Sequence, residues 1–130
     1  MQLFKIFLFF IFFIFIILAF FSFVDADKKL KLTEKNYLIN LEHIKKYKAI
    51  KGKFPDTLEN LISDTYIENG QTIYFTDNIL PEYLSGKFSN KVKIGFEPDV
   101  NGNGWLYDKN TGNLKINNKK IRFQYSDLNK

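Results

Sequence analysis

The first two dozen residues are almost entirely apolar, and they restrict the fold more than any other stretch. No polar residue occurs between Ile6 and Phe21, and the run continues to Val24 with only Ser22 inside it. At a rise of about 1.5 Å per residue, a helix of this length comes close to crossing a hydrocarbon core of about 30 Å. The residues that follow are polar and rich in lysine, so a small domain cannot enclose such a segment. We therefore predict that the segment from Ile6 to Val24 lies in a membrane.

A retained anchor and a removed signal peptide both fit an apolar segment at this position. Lys5 supplies a basic start, and residues 24–26 offer a small-x-small pattern for cleavage after Ala26. The run is longer than the usual signal core of about 7–15 residues, which favours the anchor. We predict an anchor in residues 1–26 and a folded domain in residues 27–130, with secretion after cleavage as the alternative.

The lysines on either side of the segment bear on the direction in which the domain faces. Lys5 precedes the run, whereas four lysines follow it closely: Lys28, Lys29, Lys31 and Lys35. The positive-inside rule taken alone would keep the C-terminal domain in the cytoplasm. The signal-like character of the segment favours export, and we expect a single-pass protein whose domain is periplasmic or extracellular.

Composition excludes some classes of site. The chain has no cysteine, so it forms neither a disulfide framework nor a thiolate zinc cluster. The net charge of +5 comes mostly from lysine, with Arg122 the only arginine, whereas nucleic-acid readers usually employ arginine for bidentate contacts. One group of lysines could attract phosphate by charge alone: those at 45, 46, 48, 51 and 53. A solvated helix face is the simpler interpretation, and we do not expect a nucleic-acid partner.

An apolar pattern with helical spacing follows the membrane segment. Its members are Leu30, Tyr37, Leu38, Leu41, Ile44 and Tyr47. No glycine or proline occurs between Asp25 and Lys51, so the membrane helix is expected to continue unbroken into an amphipathic one. Gly52 is a suitable residue to end it. Asp56 as N-cap and Glu59 as its capping-box partner then predict a short second helix that ends near residues 63–66.

The rest of the chain has the alternation and the turn residues of β-strands. Asn69-Gly70 is a turn signal, and the predicted strands cover residues 72–75, 92–96, 105–107, 114–116 and 121–125. The connection at 108–112 has hairpin length and contains glycine, whereas Pro81 makes 79–84 an edge segment or an irregular connection. One long helix packed on a small antiparallel sheet accounts for this order and predicts an α+β fold.

Two stretches resemble type IV pilin-like proteins and the pseudopilins of type II secretion. Residues 47–61 read YKAIKGKFPDTLENL, with a tyrosine, a glycine, an aromatic-proline pair and two leucines at comparable spacing. Residues 102–117 read GNGWLYDKNTGNLKIN and are similar to the C-terminal hairpin of many pilin-like domains. The leader glycine and the early glutamate of those families have no counterpart, because no glycine precedes Gly52 and no acidic residue precedes Asp25. The resemblance implies an exported pilin-like domain on a membrane tether, with other pilin-like or secretion-system subunits as partners.

The sequence predicts no catalytic or cofactor-binding residues. His43 is the single histidine and has no nucleophile at a neighbouring helical position, while the acidic residues are scattered among lysines. We therefore expect a non-enzymatic protein that acts through protein–protein contacts in a secretion, pilus or cell-envelope assembly. A secreted or tethered module that binds calcium, polysaccharide or DNA is the alternative.

One loop has the spacing of a calcium site. Asp99, Asn101 and Asn103 place oxygen ligands at alternate positions before Gly104, as an EF-hand loop begins. The twelfth position is Asn110 rather than the bidentate glutamate, so a turn between strands is the preferred interpretation. The pseudopilin resemblance keeps calcium open, since some members bind it in a C-terminal loop.

Overall fold

The computed structural model of the protein describes residues 2–86 and 88–121. Helix α1 (Gln2–Lys51) is unbroken and about 75 Å long at 1.5 Å per residue. It ends as the sequence predicts, because Gly52 adopts a positive φ of 82° and its N–H donates to the Lys48 carbonyl at 2.8 Å. The helix therefore continues from the apolar segment into the domain without a hinge.

Only the C-terminal half of α1 is packed. Its buried residues are Thr33, Tyr37, Asn40, Leu41, Ile44 and Tyr47. Leu38, which was expected on this face, is 44% exposed. Thr33 and Asn40 occupy the buried face instead, because their polar groups bind a distant loop. The predicted amphipathic helix is confirmed, with a more polar buried face than its apolar residues indicated.

The second helix is shorter than predicted, and the prediction of a capping box formed by Asp56 and Glu59 is wrong. Helix α2 (Asn60–Ser63) begins after Glu59, which makes no side-chain capping bond. Asp56 forms an ion pair with Lys53 at 3.5 Å instead. The Asn60 side chain closes the preceding turn, because its Oδ1 accepts the Thr57 N–H at 3.0 Å.

The first sheet is a two-stranded hairpin. Strands β1 (Thr65–Glu68) and β2 (Gln71–Tyr74) pair in antiparallel fashion across Asn69 and Gly70. Both turn residues have positive φ, 53° and 78°, which fits the twist of a two-residue hairpin loop. The turn and β2 confirm the predictions made from the sequence, whereas β1 lies partly where the second helix was expected.

The second sheet has three strands in the order β3 (Val92–Ile94), β4 (Trp105–Asp108) and β5 (Asn113–Ile116). The predicted β4–β5 hairpin is confirmed, but β3 pairs with β4 in parallel, so the expectation of a wholly antiparallel sheet is wrong. The loop that follows β3 returns the chain to the end from which β3 started. Phe96 lies outside β3 and is 72% exposed, because the strand ends before Gly95 at a φ of 147°.

The predicted core aromatics of β4 are confirmed, since Trp105 and Tyr107 are fully buried between the sheet and α1. Residues 79–84 form an irregular connection rather than an edge strand, which was one of the two predicted alternatives, and an isolated β-bridge joins Glu82 to Ser89. Ile121 is not in a strand, and the remainder of the predicted last strand lies outside the described residues. The fold is α+β, with a long helix against one antiparallel and one mixed sheet.

Candidate functional site

The N-terminal half of α1 exposes its apolar surface. Residues 2–28 are all exposed except Ile11, which is half-buried. The exposed side chains include Phe4 (65%), Phe15 (67%) and Phe23 (73%). By length and composition this helix is suited to cross a membrane, and none of its most apolar stretch is buried in the domain. The protein therefore has an apolar segment suited to a membrane anchor or a signal sequence.

A short charged stretch joins this segment to the domain. Asp25 pairs with Lys29, and Asp27 pairs with Lys31, both at 3.1 Å and both solvent-exposed. In each pair the acidic residue precedes the lysine by four positions, which is the favourable orientation on a helix. These pairs support helical structure between the apolar segment and Thr33, the first buried residue of α1.

Side-chain amides on α1 bind the backbone of the loop that follows β2. Asn40 pairs with both backbone groups of Leu80, accepting the N–H at 3.1 Å and donating to the carbonyl at 3.0 Å. One turn earlier, the Asn36 amide donates to the Pro81 carbonyl at 2.9 Å. Trp105 Nε1 also donates to the Leu80 carbonyl, at 2.7 Å. The loop thus receives from asparagines the bonds that a neighbouring strand would supply.

Thr33 extends this row of contacts toward the N-terminus of α1. Its hydroxyl accepts the Tyr83 N–H at 3.0 Å and donates to the Lys29 carbonyl at 2.8 Å. Asn40, Asn36 and Thr33 therefore meet successively later loop residues, and the loop runs antiparallel to α1.

Glu82 is a fully buried carboxylate within the same loop. Its Oε2 accepts the N–H groups of Leu84 (2.7 Å) and Ser85 (3.1 Å). Its Oε1 accepts the Gly104 N–H at 3.0 Å and the Ser85 hydroxyl. Four donors offset the cost of burying a charged carboxylate, and they tie this loop to the start of β4.

The two stretches that resemble pilin-like proteins contact each other. The Tyr107 hydroxyl donates to the Pro55 carbonyl at 2.7 Å. Gly112 lies against the ring of Phe54, because a Cβ at Gly112 would lie only 2.6 Å from Cδ1 of that ring. Lys48 also borders the ring, with its ammonium 4.2 Å from the ring centroid. The end of α1 and the β4–β5 hairpin therefore form one packed unit.

Two buried tyrosines have raised pKa values. Burial raises the pKa of Tyr47 to about 12, and the hydrogen bond from its hydroxyl to Asp64, at 2.6 Å, adds to the rise. Burial also raises the pKa of Tyr107, with the charge of Asp108 as a smaller cause. Both phenols therefore stay neutral at physiological pH and act as hydrogen-bond donors in the core.

The calcium candidates have protein partners. The Asp99 carboxylate accepts from Lys93 Nζ at 2.6 Å and from the Asn117 amide at 3.0 Å, and these bonds lower the pKa of Asp99. Asn103 Oδ1 accepts the Ser89 hydroxyl at 3.1 Å, and Asn101 is exposed. Asp99 and Asn103 thus bind different partners, and a calcium ion would have to displace Lys93 from the carboxylate.

The remaining sequence-derived candidates lie on the surface of the domain. The lysines at 45, 46, 48, 51 and 53 are exposed, and His43 is half-buried on α1. Over residues 2–86 and 88–121, no three histidine, cysteine, aspartate or glutamate side chains are grouped so that they could hold a metal ion. An open groove of about 630 Å³ separates α2 from β3, and Ile62 and Ile94 lie along it.

Comparisons of this chain with family models, curated proteins and solved structures identify no similar protein.

Proposed function

We propose that the protein is a membrane-tethered, non-enzymatic, pilin-like subunit or accessory protein of a secretion, pilus or cell-envelope assembly. The supporting observation is the unbroken helix α1, whose first half is exposed and apolar and whose second half is part of the domain core. A helix of this kind holds a folded domain at a defined position beside a bilayer. The function is then to present that domain to neighbouring proteins.

The contact between the two resembling stretches supports the pilin-like assignment. In this proposal the Phe54–Gly112 packing and the Tyr107–Pro55 hydrogen bond join the end of the long helix to the terminal hairpin. The groove beside β3, an outer strand of its sheet, offers a surface for another subunit of the assembly.

Membrane fractionation with N-terminal mass spectrometry tests the tether. We expect the protein to stay with membranes after an alkaline wash and to begin at Met1 or Gln2. Protease added to spheroplasts should digest residues 27–130 if the domain is exported. Recovery in the soluble fraction with an intact N-terminus would contradict the proposal, and a methylated phenylalanine start within the apolar run would indicate ordinary pilin processing.

A released binding module is the second candidate, and one observation favours it. Cleavage after Ala26 would remove no buried residue of α1 (Gln2–Lys51), since the first of these is Thr33. The domain would therefore keep its packed helix. A mature N-terminus at Asp27 and recovery from the medium or periplasm would support this candidate over the tether.

A further inference from the structure

The turn between Glu82 and Ser89 has two aromatic side chains at its surface. Phe88 is 70% exposed, and its ring centroid lies 6.1 Å from that of half-buried Tyr83. The backbones of Glu82 and Ser89 exchange hydrogen bonds of 3.0 and 2.9 Å, which hold the two ends of the turn together. Single exposed aromatic residues are common, so the position of this pair in the fold decides what it contacts. We call Tyr83 and Phe88 the aromatic pair.

The hydrogen bonds to α1 establish the direction of this turn. Loop residues 80, 81 and 83 bind α1 at Asn40, Asn36 and Thr33, in that order. Each step moves toward the N-terminus of α1. The chain therefore approaches the apolar segment as it enters the turn, and the aromatic pair lies at the end of the domain nearest that segment.

The distances are compatible with a bilayer contact. Thr33, which binds the Tyr83 N–H, lies about 14 Å along the helix from Val24 at 1.5 Å per residue. The interfacial layer outside the hydrocarbon core is about 5–7 Å thick. About 7–9 Å therefore separate this layer from the level of Thr33 along the helix. Tyr83 and exposed Phe88 flank the Glu82–Ser89 bridge near this level, and a helix tilt of about 20° brings one side of the domain closer to the headgroups.

We propose that the aromatic pair rests in the headgroup layer of the bilayer that holds α1, as a second membrane contact of the domain. Tyrosine favours this layer because its ring meets apolar carbon while its phenol meets water, and an exposed phenylalanine ring can enter the boundary between headgroups and acyl chains. Exposed Lys28 and Lys35 lie on α1 on either side of Thr33 and can attract lipid phosphates, whereas Lys31 pairs with Asp27. The inference rests on the retained anchor of the proposed function. With two contacts, α1 and the turn together define the tilt of the domain.

Phe96 provides a matched control at the other end of the domain. It is 72% exposed and follows β3, which is parallel to β4. Strand β4 runs away from the membrane, since Trp105 binds Leu80 beside Asn40 whereas the Tyr107 hydroxyl reaches Pro55, beyond the end of α1. A phenylalanine of the same exposure is thus available far from the bilayer.

Tryptophan quenching by brominated lipid tests the contact. Full-length F88W and F96W are reconstituted into phosphatidylcholine vesicles brominated near the headgroup end of the acyl chains. Buried Trp105, the only native tryptophan, gives the same background in both proteins. We expect bromolipid to reduce the fluorescence of the introduced tryptophan in F88W, whereas F96W loses no more fluorescence than the wild type.

Flotation of the vesicles after an alkaline wash separates the two ways to fail. If the wild-type protein does not stay with the vesicles, the anchor is wrong and the contact falls with it. If it stays but F88W is not quenched, or F96W is quenched equally, the anchor stands and the second contact is wrong. An introduced tryptophan at position 88 that is shielded from both bromolipid and aqueous iodide would indicate a protein contact and would also overturn the inference.

Discussion

Replacing Gly112 with alanine tests the packing of the helix end against the terminal hairpin. Gly112 has a φ of 73°, and placing an L-residue in this left-handed region costs about 1–2 kcal/mol. The new Cβ would also lie 2.6 Å from Cδ1 and 2.9 Å from Cζ of Phe54. The Phe54 ring is half-buried and packed against the hydrophobic core, which limits how far it can shift, and overpacking of this kind costs about 1–3 kcal/mol. We therefore expect Gly112→Ala to lower the free energy of unfolding by about 2–5 kcal/mol.

Gly70→Ala is the matched control, since Gly70 has a similar φ of 78° but no atom within 4 Å of an added Cβ. It should cost only the backbone term, about 1–2 kcal/mol. Urea unfolding of the full-length protein in mild detergent, followed by Trp105 fluorescence, measures both variants. A third measurement introduces Gly112→Ala into a Phe54→Ala background. With the ring removed, the cost of Gly112→Ala should fall to that of the control.

Equal destabilisation by Gly112→Ala and Gly70→Ala would refute this reasoning. Backbone strain would then explain the whole effect, and the Phe54 ring would not be packed against the hairpin. An unchanged cost in the Phe54→Ala background would lead to the same conclusion.

Three further outcomes follow from the buried and charged groups. Glu82→Gln places an amide NH₂ among four hydrogen-bond donors and should lower the free energy of unfolding in urea by about 2–4 kcal/mol. Exposed Glu68→Gln should change this free energy by less than about 0.5 kcal/mol. Equal effects of the two substitutions would contradict the hydrogen bonds to the buried Glu82 side chain. The folded-state pKa of Tyr47 is raised to about 12 from an ordinary 10, so the stability that its neutral phenol contributes is complete below pH 10 and is lost as pH rises toward 12. The urea midpoint should therefore fall less steeply over this pH range for Tyr47→Phe than for the wild type. Identical slopes would show that Tyr47 does not contribute to the pH dependence of stability. Calcium at millimolar concentration should leave the Tm of the full-length protein unchanged, because Lys93 holds the Asp99 carboxylate, and a rise that Asp99→Asn abolishes would establish a calcium site instead.

The parts of the fold that depend on neighbouring residues could be predicted from the sequence. The absence of glycine and proline before Gly52 predicts one continuous helix, and the glycine-containing connection at 108–112 predicts the β4–β5 hairpin. Strand β1 was missed because it follows α2 after a single residue, where the short helix was expected to continue. The local sequence signal was the β-branched and aromatic run that begins at Thr65 and precedes the Asn69 turn.

The features that depend on distant residues could not be predicted in this way. The parallel pairing of β3 depends on the path of the loop before Gly104, and no local pattern specifies that path. Asn40 and Glu82 look like surface residues in the sequence, because polar side chains are buried only where suitable partners meet them. Those partners are the backbone groups of Leu80 for Asn40, and of Ser85 and Gly104 for Glu82. The pattern around Asn40 gives only a weak signal, its helical spacing from Thr33 and Tyr47.

Because α1 is continuous, the number of residues between the apolar segment and the domain determines both the distance between them and the rotation of the domain around the helix axis. Each residue added to the charged stretch between Val24 and Thr33 would raise the domain by about 1.5 Å and turn it by about 100° around the helix axis. A single insertion would thus turn the groove beside β3 to a different side of the helix axis. Adding seven residues, close to two full turns, would nearly restore its original direction at a greater distance from the apolar segment. The number of residues in this stretch thus determines the direction in which the groove faces relative to the apolar segment.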